Sequence, residues 1–214
     1  MNHILIAEHH HLVREGIARL LQAEPGVAAI HQAADTDAML HGVREFRPDV
    51  ILLDLHLPPA GGLEGLRRAL RADSAVRVIC MGLGRHGPYP RRLLEHGAAG
   101  VLTMGCTPAE LAEALGAVSR GQIHVGAELA RALVQSGLTG ALEPVDELSA
   151  RELDVVKMLS EGRRLHEISD RLCISTKTVS TYRSRVCRKL GVRNDVELTH
   201  LCLEHGLIEN RYCG

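Results

Sequence analysis

Residues 148–192, LSARELDVVKMLSEGRRLHEISDRLCISTKTVSTYRSRVCRKLGV, decide how the chain is to be read. Ser149 followed three residues later by Glu152 is a capping box, in which each side chain satisfies a backbone N–H that the first helical turn leaves orphaned. Leu148 and Leu153 occupy the positions of a hydrophobic staple across that cap. The spacing predicts a first helix with Leu153, Val156 and Leu159 on one face, stopping at Gly162. A second, short helix over about Leu165 to Leu172 turns Ile168 and Leu172 inward. Cys173-Ile174-Ser175 is a tight turn, and Ser175 caps a third helix that runs to Leu190 and is closed by Gly191. Two short helices joined by a three-residue turn are a helix-turn-helix.

The third helix is the informative one. At about 100° per residue, Val179, Val186 and Leu190 gather on one side, with Tyr182 and Arg183 at its edges. Lys177, Ser180, Thr181, Ser184 and Arg188 form a stripe on the other side, flanked by Arg185. Small hydroxyls interleaved with cations suit the base edges of a major groove and the phosphates beside it. From Arg163 to Arg193 there are nine lysines and arginines against two acids, Glu167 and Asp170. A merely solvated helix face usually mixes both signs, so the nucleic-acid reading is preferred.

These residues also carry a resemblance. LSARE, EIS–RL–IS, KTVSTYRSRV–KLGV and DVEL resemble the LuxR-type helix-turn-helix of NarL/FixJ response regulators, and ISDRLCIS, KTVSTYR and NDVELT look most like the GacA-like global activators. The family usually has proline where Thr176 stands. The resemblance implies that the second helix crosses the DNA backbone and that the third lies in the major groove. Ser180, Thr181 and Ser184 would then read bases while Lys177, Arg185 and Arg188 hold phosphates. It also implies a homodimer on a two-fold site, with the last helix, about Asp195 to His205, where the family dimerises. Leu198, Leu201 and Cys202 on that helix fit core and interface equally.

Outward from this stretch, 214 residues suit one or two domains. Hydrophobic residues are 45% but aromatics 2%, with no tryptophan, so the core must be aliphatic. The net charge of −1 hides the basic excess near the C-terminus, which acids elsewhere dilute. No apolar run approaches the roughly 18 residues of a membrane span, and the N-terminus has no signal-peptide pattern, so the expectation is a cytoplasmic protein with no membrane partner. The six cysteines (80, 106, 173, 187, 202, 213) have no metal-type pairing and are read as reduced thiols.

The first part of the chain alternates strands and helices. His3–Ala7 is a strand that leads through Glu8-His9-His10-His11 to a helix with Leu12, Val13, Ile17, Leu20 and Leu21 inward. Gly26–Ala33 is a second strand, and Asp35 caps a helix reaching about Phe46. DVILL, residues 49–53, is the apolar run of a strand buried on both faces of a parallel sheet, and it ends in Asp54. A helix over Gly62–Ala72, a strand over Val76–Met81, a short helix over Pro90–His96, a fifth strand over Ala99–Thr103 and a helix over Pro108–Arg120 follow. The fold class is therefore α/β: a doubly wound, five-stranded parallel sheet, receiver-like (flavodoxin-like), plus a small all-α helix-turn-helix domain. The divisions expected are residues 1–121 for the sheet domain, 122–147 for a linker and 148–214 for the DNA-binding domain. Within the linker Gly126–Gln135 reads as helix, and SGLTGALEPVDE reads as flexible.

The sheet domain resembles a response-regulator receiver, which extends the resemblance over the whole chain. PDVILLDLHLPPAGGLE matches the signature whose terminal aspartate accepts phosphate, so Asp54 is the candidate phosphoacceptor. PYPRRLLEHG and GAAGVLTMG again look GacA-like. Phosphate transfer to a carboxylate needs a divalent cation, and Mg²⁺ takes hard oxygen ligands. Receivers supply these from an acidic pair after the first strand, the acceptor, and a carbonyl two residues beyond it. Here the pair is Glu8-His9 and the carbonyl belongs to His56. Imidazole is a poor Mg²⁺ ligand. The Ser/Thr that usually bonds the phosphoryl group is replaced by Gly82, and the usual lysine by Met104. Each lost charge-assisted contact is worth roughly 1.5–3 kcal/mol.

The expectation is a pseudo-receiver with a degenerate pocket at Glu8, His9, His56, Gly82 and Met104, on a transcription regulator of the two-component type that acts without conventional aspartyl phosphorylation. No cofactor is expected; if the pocket keeps Mg²⁺, Glu8 and Asp54 hold it. Glu8, His9, Asp54 and His10 or His56 would suit a softer metal, but no H-x₃-H spacing supports one and adjacent histidines are read as pointing different ways, so no metal site is expected. A conventional phosphorylation-activated response regulator served by a sensor kinase is the first alternative. The second is a protein–protein regulator that docks another regulator through the altered receiver. No nucleophile–base pair or phosphate-cradling glycine loop marks an enzyme.

Overall fold

The computed structural model describes residues 2–60, 62–83, 89–139, 148–172 and 174–204. The flexible stretch expected at 140–147, the turn residue Cys173 and the final His205 of the last helix lie outside the described residues. The described residues fall into two compact units, divided along the chain between residues 133 and 134.

The first unit is a parallel sheet whose strands lie in the order β2-β1-β3-β4-β5-β6. In chain order these are β1 Asn2–Ala7, β2 Val27–Ala33, β3 Val50–Asp54, β4 Arg77–Leu83, β5 Gly100–Thr103 and β6 His124–Val125. Helices α1 His11–Gln22, α2 Thr36–Phe46, α3 Gly62–Ala72, α4 Tyr89–Glu95 and α5 Pro108–Ser119 connect them, and α6 Ala127–Thr139 follows. Every residue of β3 is buried, as an apolar run sandwiched between two helical layers must be. One face of the sheet sets Ile4, Ile6, Val50, Leu52 and Ile79 against Ala18 and Leu21 of α1 and Leu111, Ala114 and Val118 of α5. On the other face Gly42 brings α2 so close that an added Cβ would stand 3.2 Å from Leu5. Asp35 accepts from the Ala38 N–H at 2.7 Å to start α2, and Thr107 with Pro108 starts α5.

The structure corrects two expectations. The sheet has six strands, not five: His124–Val125 pairs with Gly100 and Val101. Two residues are too short to show an alternating pattern. In α1, Leu12 is 85% exposed and Leu20 45%, while the buried positions are Ala18 and Leu21. The five apolar residues of that helix spread over an arc of about 180°, wider than the stripe one packing face covers, and the helix turns its small Ala18 to the sheet.

The second unit contains α7 Ala150–Ser160, α8 Leu165–Leu172, α9 Thr176–Leu190 and α10 Asp195–Glu204. Both hydrogen bonds of the Ser149/Glu152 capping box form, and Leu148 and Leu153 are buried across it. Gly162 and Gly191 close α7 and α9 with φ of +76° and +69°, values that favour glycine. Val156, Ile168, Val179, Val186, Leu198 and Cys202 make the core of this unit. The core is aliphatic, as composition requires. Cys80, Cys106, Cys187 and Cys202 are free thiols, and burial pushes Cys80 up to about 12. No helix among the described residues is long and apolar enough to cross a membrane.

Candidate functional site

Two places bear chemistry, one in each unit. On α9 the buried side is Val179, Val186 and Leu190. Lys177, Ser180, Thr181, Ser184, Arg185 and Arg188 are all exposed. Ser175 accepts from the Thr178 N–H at 3.0 Å and fixes where the helix starts. The hydroxyls of Thr181 and Ser184 donate back to the carbonyls of Lys177 and Ser180, each at 3.0 Å. Such bonds hold short side chains in defined rotamers while their oxygens still face outward.

The basic cluster is not uniform. Arg183 grips Asp195 of α10 through two bonds of 2.8 and 3.0 Å, and that hydrogen bonding raises its pKa further. Lys189 reaches Glu152 at 2.9 Å, and Arg163 reaches Glu161 at 3.0 Å. Arg183 and Lys189 thus tie α9 to its neighbours, while Arg163 closes the turn after α7. Lys177, Arg185 and Arg188 make no ion pair with any described residue, so their charge faces solvent. The periodicity in the sequence separates the two groups only partly, because Asp195 lies beyond the basic stretch of residues 163–193.

The second place is the carboxyl edge of the sheet. Asp54 ends β3, and Glu8 follows β1; they are 3% and 1% exposed. His9 Nδ1 lies 2.6 Å from Asp54 Oδ2 and 3.4 Å from Glu8 Oε1. The backbone N–H of His56 donates to Asp54 Oδ1 at 2.8 Å, and His56 Nδ1 is 3.6 Å from the same oxygen. Burial pushes the Asp54 carboxyl up, but the bonds from His56 and His9 outweigh it and hold the group below its ordinary value. Gly82 lies inside β4, where the pairing with β5 shifts, at φ +90°. A Cβ there would stand 3.3 Å from Asp54 Oδ1. Glu8, His9, Asp54, His56 and Gly82 thus converge. Met104 follows β5, half exposed and uncharged.

His10 joins them, which spacing alone did not anticipate. The chain bends at His9, so His9 and His10 do not alternate: their rings stand 3.6 Å apart, and His10 Nδ1 is 3.0 Å from Glu8 Oε1. The His10 N–H also donates to that oxygen at 2.7 Å. Arg14 braces the bend by donating to the Glu8 carbonyl at 2.7 Å, a role no local motif announces. A magnesium ion does not fit this set. It needs near-octahedral hard oxygens, and an imidazole nitrogen stands against both carboxylates.

Comparison with known proteins bears on both places. Residues 4–116 match the family model described as response regulator receiver domain, and residues 146–202 the one described as bacterial regulatory proteins, luxR family. The response regulator GacA of Pseudomonas protegens is 38% identical over 210 residues, covering 98% of this chain and 99% of its own. The response regulator UvrY of Escherichia coli is 36% identical over 209 residues, covering 97% and 96%. Among solved structures, a LuxR-family two-component response regulator from Aurantimonas aligns with TM-score 0.61 and 30% identity over 64% of this chain and 99% of its own. RcsB from Salmonella enterica serovar Typhimurium, bound to a promoter in the presence of a phosphomimetic, aligns with TM-score 0.78 over 95% and 98% at 24% identity, a likeness of fold.

Proposed function

Because the chain belongs to the response regulators, in which a receiver domain is joined to a LuxR-type regulatory domain, we propose that it is a DNA-binding transcription regulator whose output is not set by conventional aspartyl phosphorylation. One observation carries the second half of that statement: His9 Nδ1 sits 2.6 Å from an oxygen of the Asp54 carboxylate, to which a phosphoryl group would have to bond. The imidazole stands where a receiver keeps a second acid, and neither Gly82 nor Met104 has a side chain that can donate a hydrogen bond to the incoming oxygens or neutralise them.

The DNA-binding half rests on the outward, unpaired Lys177, Arg185 and Arg188, with Ser180, Thr181 and Ser184 between them. In this reading the cations engage phosphates and the hydroxyls read base edges in the major groove. The working unit is a homodimer on a two-fold site, since one short helix spans few base pairs. Residues 1–121 act as the receiver-like domain, 122–147 as a partly helical connection that begins at β6, and 148–214 as the DNA-binding domain. A sensor kinase or a second regulator is the partner through which the altered receiver would still be addressed.

The test is incubation of the full chain with Mg²⁺ and a small phosphodonor, followed by intact-mass measurement. The expected spectrum is unmodified protein. Stoichiometric, acid-labile phosphate on Asp54 would establish conventional phosphorylation instead. Gel-shift titration of promoter fragments addresses the other half, and failure to bind any of them at moderate salt would favour a protein–protein regulator.

A further inference from the structure

We propose that Glu8, His9 and His10 form a site for a borderline divalent metal ion of the zinc class, where receivers hold Mg²⁺. The proposal rests on the reading that this pocket is not a phosphorylation pocket. Glu8 Oε1, His9 Nδ1 and His10 Nδ1 all lie within 4.8 Å of one another. The two histidine nitrogens are 3.4 and 3.0 Å from the carboxylate oxygen. Ligand atoms around a tetrahedral zinc, with bonds of about 2.0–2.1 Å, stand roughly 3.4 Å apart. Both nitrogen–oxygen distances are thus already near the spacing that one ion imposes, and the two nitrogens lie within 4.8 Å of each other. Asp54 Oδ2, in contact with His9 Nδ1, is at hand for a further position.

The donor chemistry agrees with the spacing. Two imidazole nitrogens and a carboxylate suit Zn²⁺, Ni²⁺ or Cu²⁺ and do not suit Mg²⁺. The supporting shell is present as well. The backbone N–H of His10 orients the Glu8 carboxylate, and Arg14 pins the backbone at Glu8, the kind of outer contact that fixes a metal ligand. Charge points the same way. Glu8 and Asp54 are both buried, and the basic side chains within 4.0 Å of their carboxylates among the described residues are all histidines. Two buried carboxylates without a lysine or arginine leave negative charge that a bound cation would neutralise. With the His10 side chain 53% exposed, the site also has an entrance.

The experiment uses the untagged full chain, stripped with a chelator and titrated with Zn²⁺ against a chromophoric competitor in the presence of excess Mg²⁺. One equivalent of Zn²⁺ is expected to bind and not to be displaced by Mg²⁺. His9→Asn and His10→Asn should each weaken binding by about 100-fold or more, beyond the roughly 10–100-fold that losing an outer-shell partner costs. His200→Asn, an exposed histidine on α10, should leave it unchanged. Because His10 is half exposed, His10→Asn keeps the test valid if His9→Asn unfolds, as its thermal melt will report. No uptake above the competitor, or uptake unaltered in the His9→Asn/His10→Asn double variant (an adventitious ion only), overturns the site. The titration uses no phosphodonor. A negative result here therefore leaves the regulator reading standing, and phosphate on Asp54 would overturn that reading whatever the zinc titration finds.

Discussion

Glu152 performs two duties with one carboxylate. It accepts from the Ser149 N–H at 2.7 Å to complete the cap of α7, and it takes Lys189 of α9 at 2.9 Å. Burial pushes its carboxyl up, but the bonds from Lys189 and Ser149 outweigh that and hold it below the ordinary 4.5. A carboxyl lowered on folding stabilises the folded chain when ionised. Its contribution is complete above the unfolded value and is lost as pH falls through the lower folded value. Glu152→Ala should therefore reduce the unfolding free energy by about 1–3 kcal/mol at neutral pH, and the gap from the parent should close in acid. Urea titrations at several pH values read this directly, and a gap independent of pH would contradict it. The cations of α9 divide in the same manner. Arg188→Ala should lower the slope of log affinity against log salt by about 1 with the melt unchanged. Arg183→Ala should instead lower the melting temperature, because Arg183 is committed to Asp195. Thr181→Ala should narrow discrimination between an operator and a mismatched site by about 1–3 kcal/mol. Equal effects of Arg183→Ala and Arg188→Ala on the salt slope would erase the distinction.

At the scale of elements, the helix ends were legible because capping is local chemistry: Ser149, Ser175, Asp35 and Gly191 all act within four residues of where they stand. β3 was legible because the apolar, β-branched run after Asp49 is too short for a helix and suits a strand buried on both faces. The buried face of α1 was not, since a helix with apolar residues around half its circumference leaves the choice of face to its neighbours. β6 was not, because two residues gain strand geometry only from pairing with β5. The pocket was half legible. The resemblance to a receiver points to its residues, but the bend at His9 that turns two neighbouring imidazoles onto one carboxylate is a tertiary fact, braced by Arg14. Gly82 shows how an element can resist restoration. At φ +90°, with Asp54 Oδ1 3.3 Å from where a Cβ would go, a hydroxyl cannot be returned by substitution alone. Gly82→Ser should destabilise the chain by about 1–2 kcal/mol in thermal or urea unfolding, and should not confer phosphate uptake. A variant as stable as the parent would mean that β4 relaxes to ordinary strand geometry at that position.

At the scale of the whole molecule, the proposed dimer places its demands on α10. Leu198 and Cys202 are fully buried there, so they belong to the core of the second unit and are not available to a partner. Val196 is 67% exposed, a β-branched apolar side chain facing solvent in the first turn of α10, next to Asp195 of the Arg183–Asp195 bridge. Exposed apolar residues are common singly, but this one lies on the element where a two-fold contact would be made. A dimer seated on a two-fold operator makes binding depend on protein concentration to the second power, because assembly and DNA engagement are linked. Val196→Glu should leave the melt of the chain nearly unchanged, since the residue packs against little. In a self-associating protein it would set two carboxylates against each other across the axis. Operator affinity should then fall at least about tenfold, equivalent to ~1.4 kcal/mol, and sedimentation should find monomer at concentrations where the parent is dimeric. If Val196→Glu binds DNA as the parent does and sediments as the parent does, the two-fold contact lies elsewhere on the chain. The contribution of α10 would then be confined to holding α9 in place through Asp195.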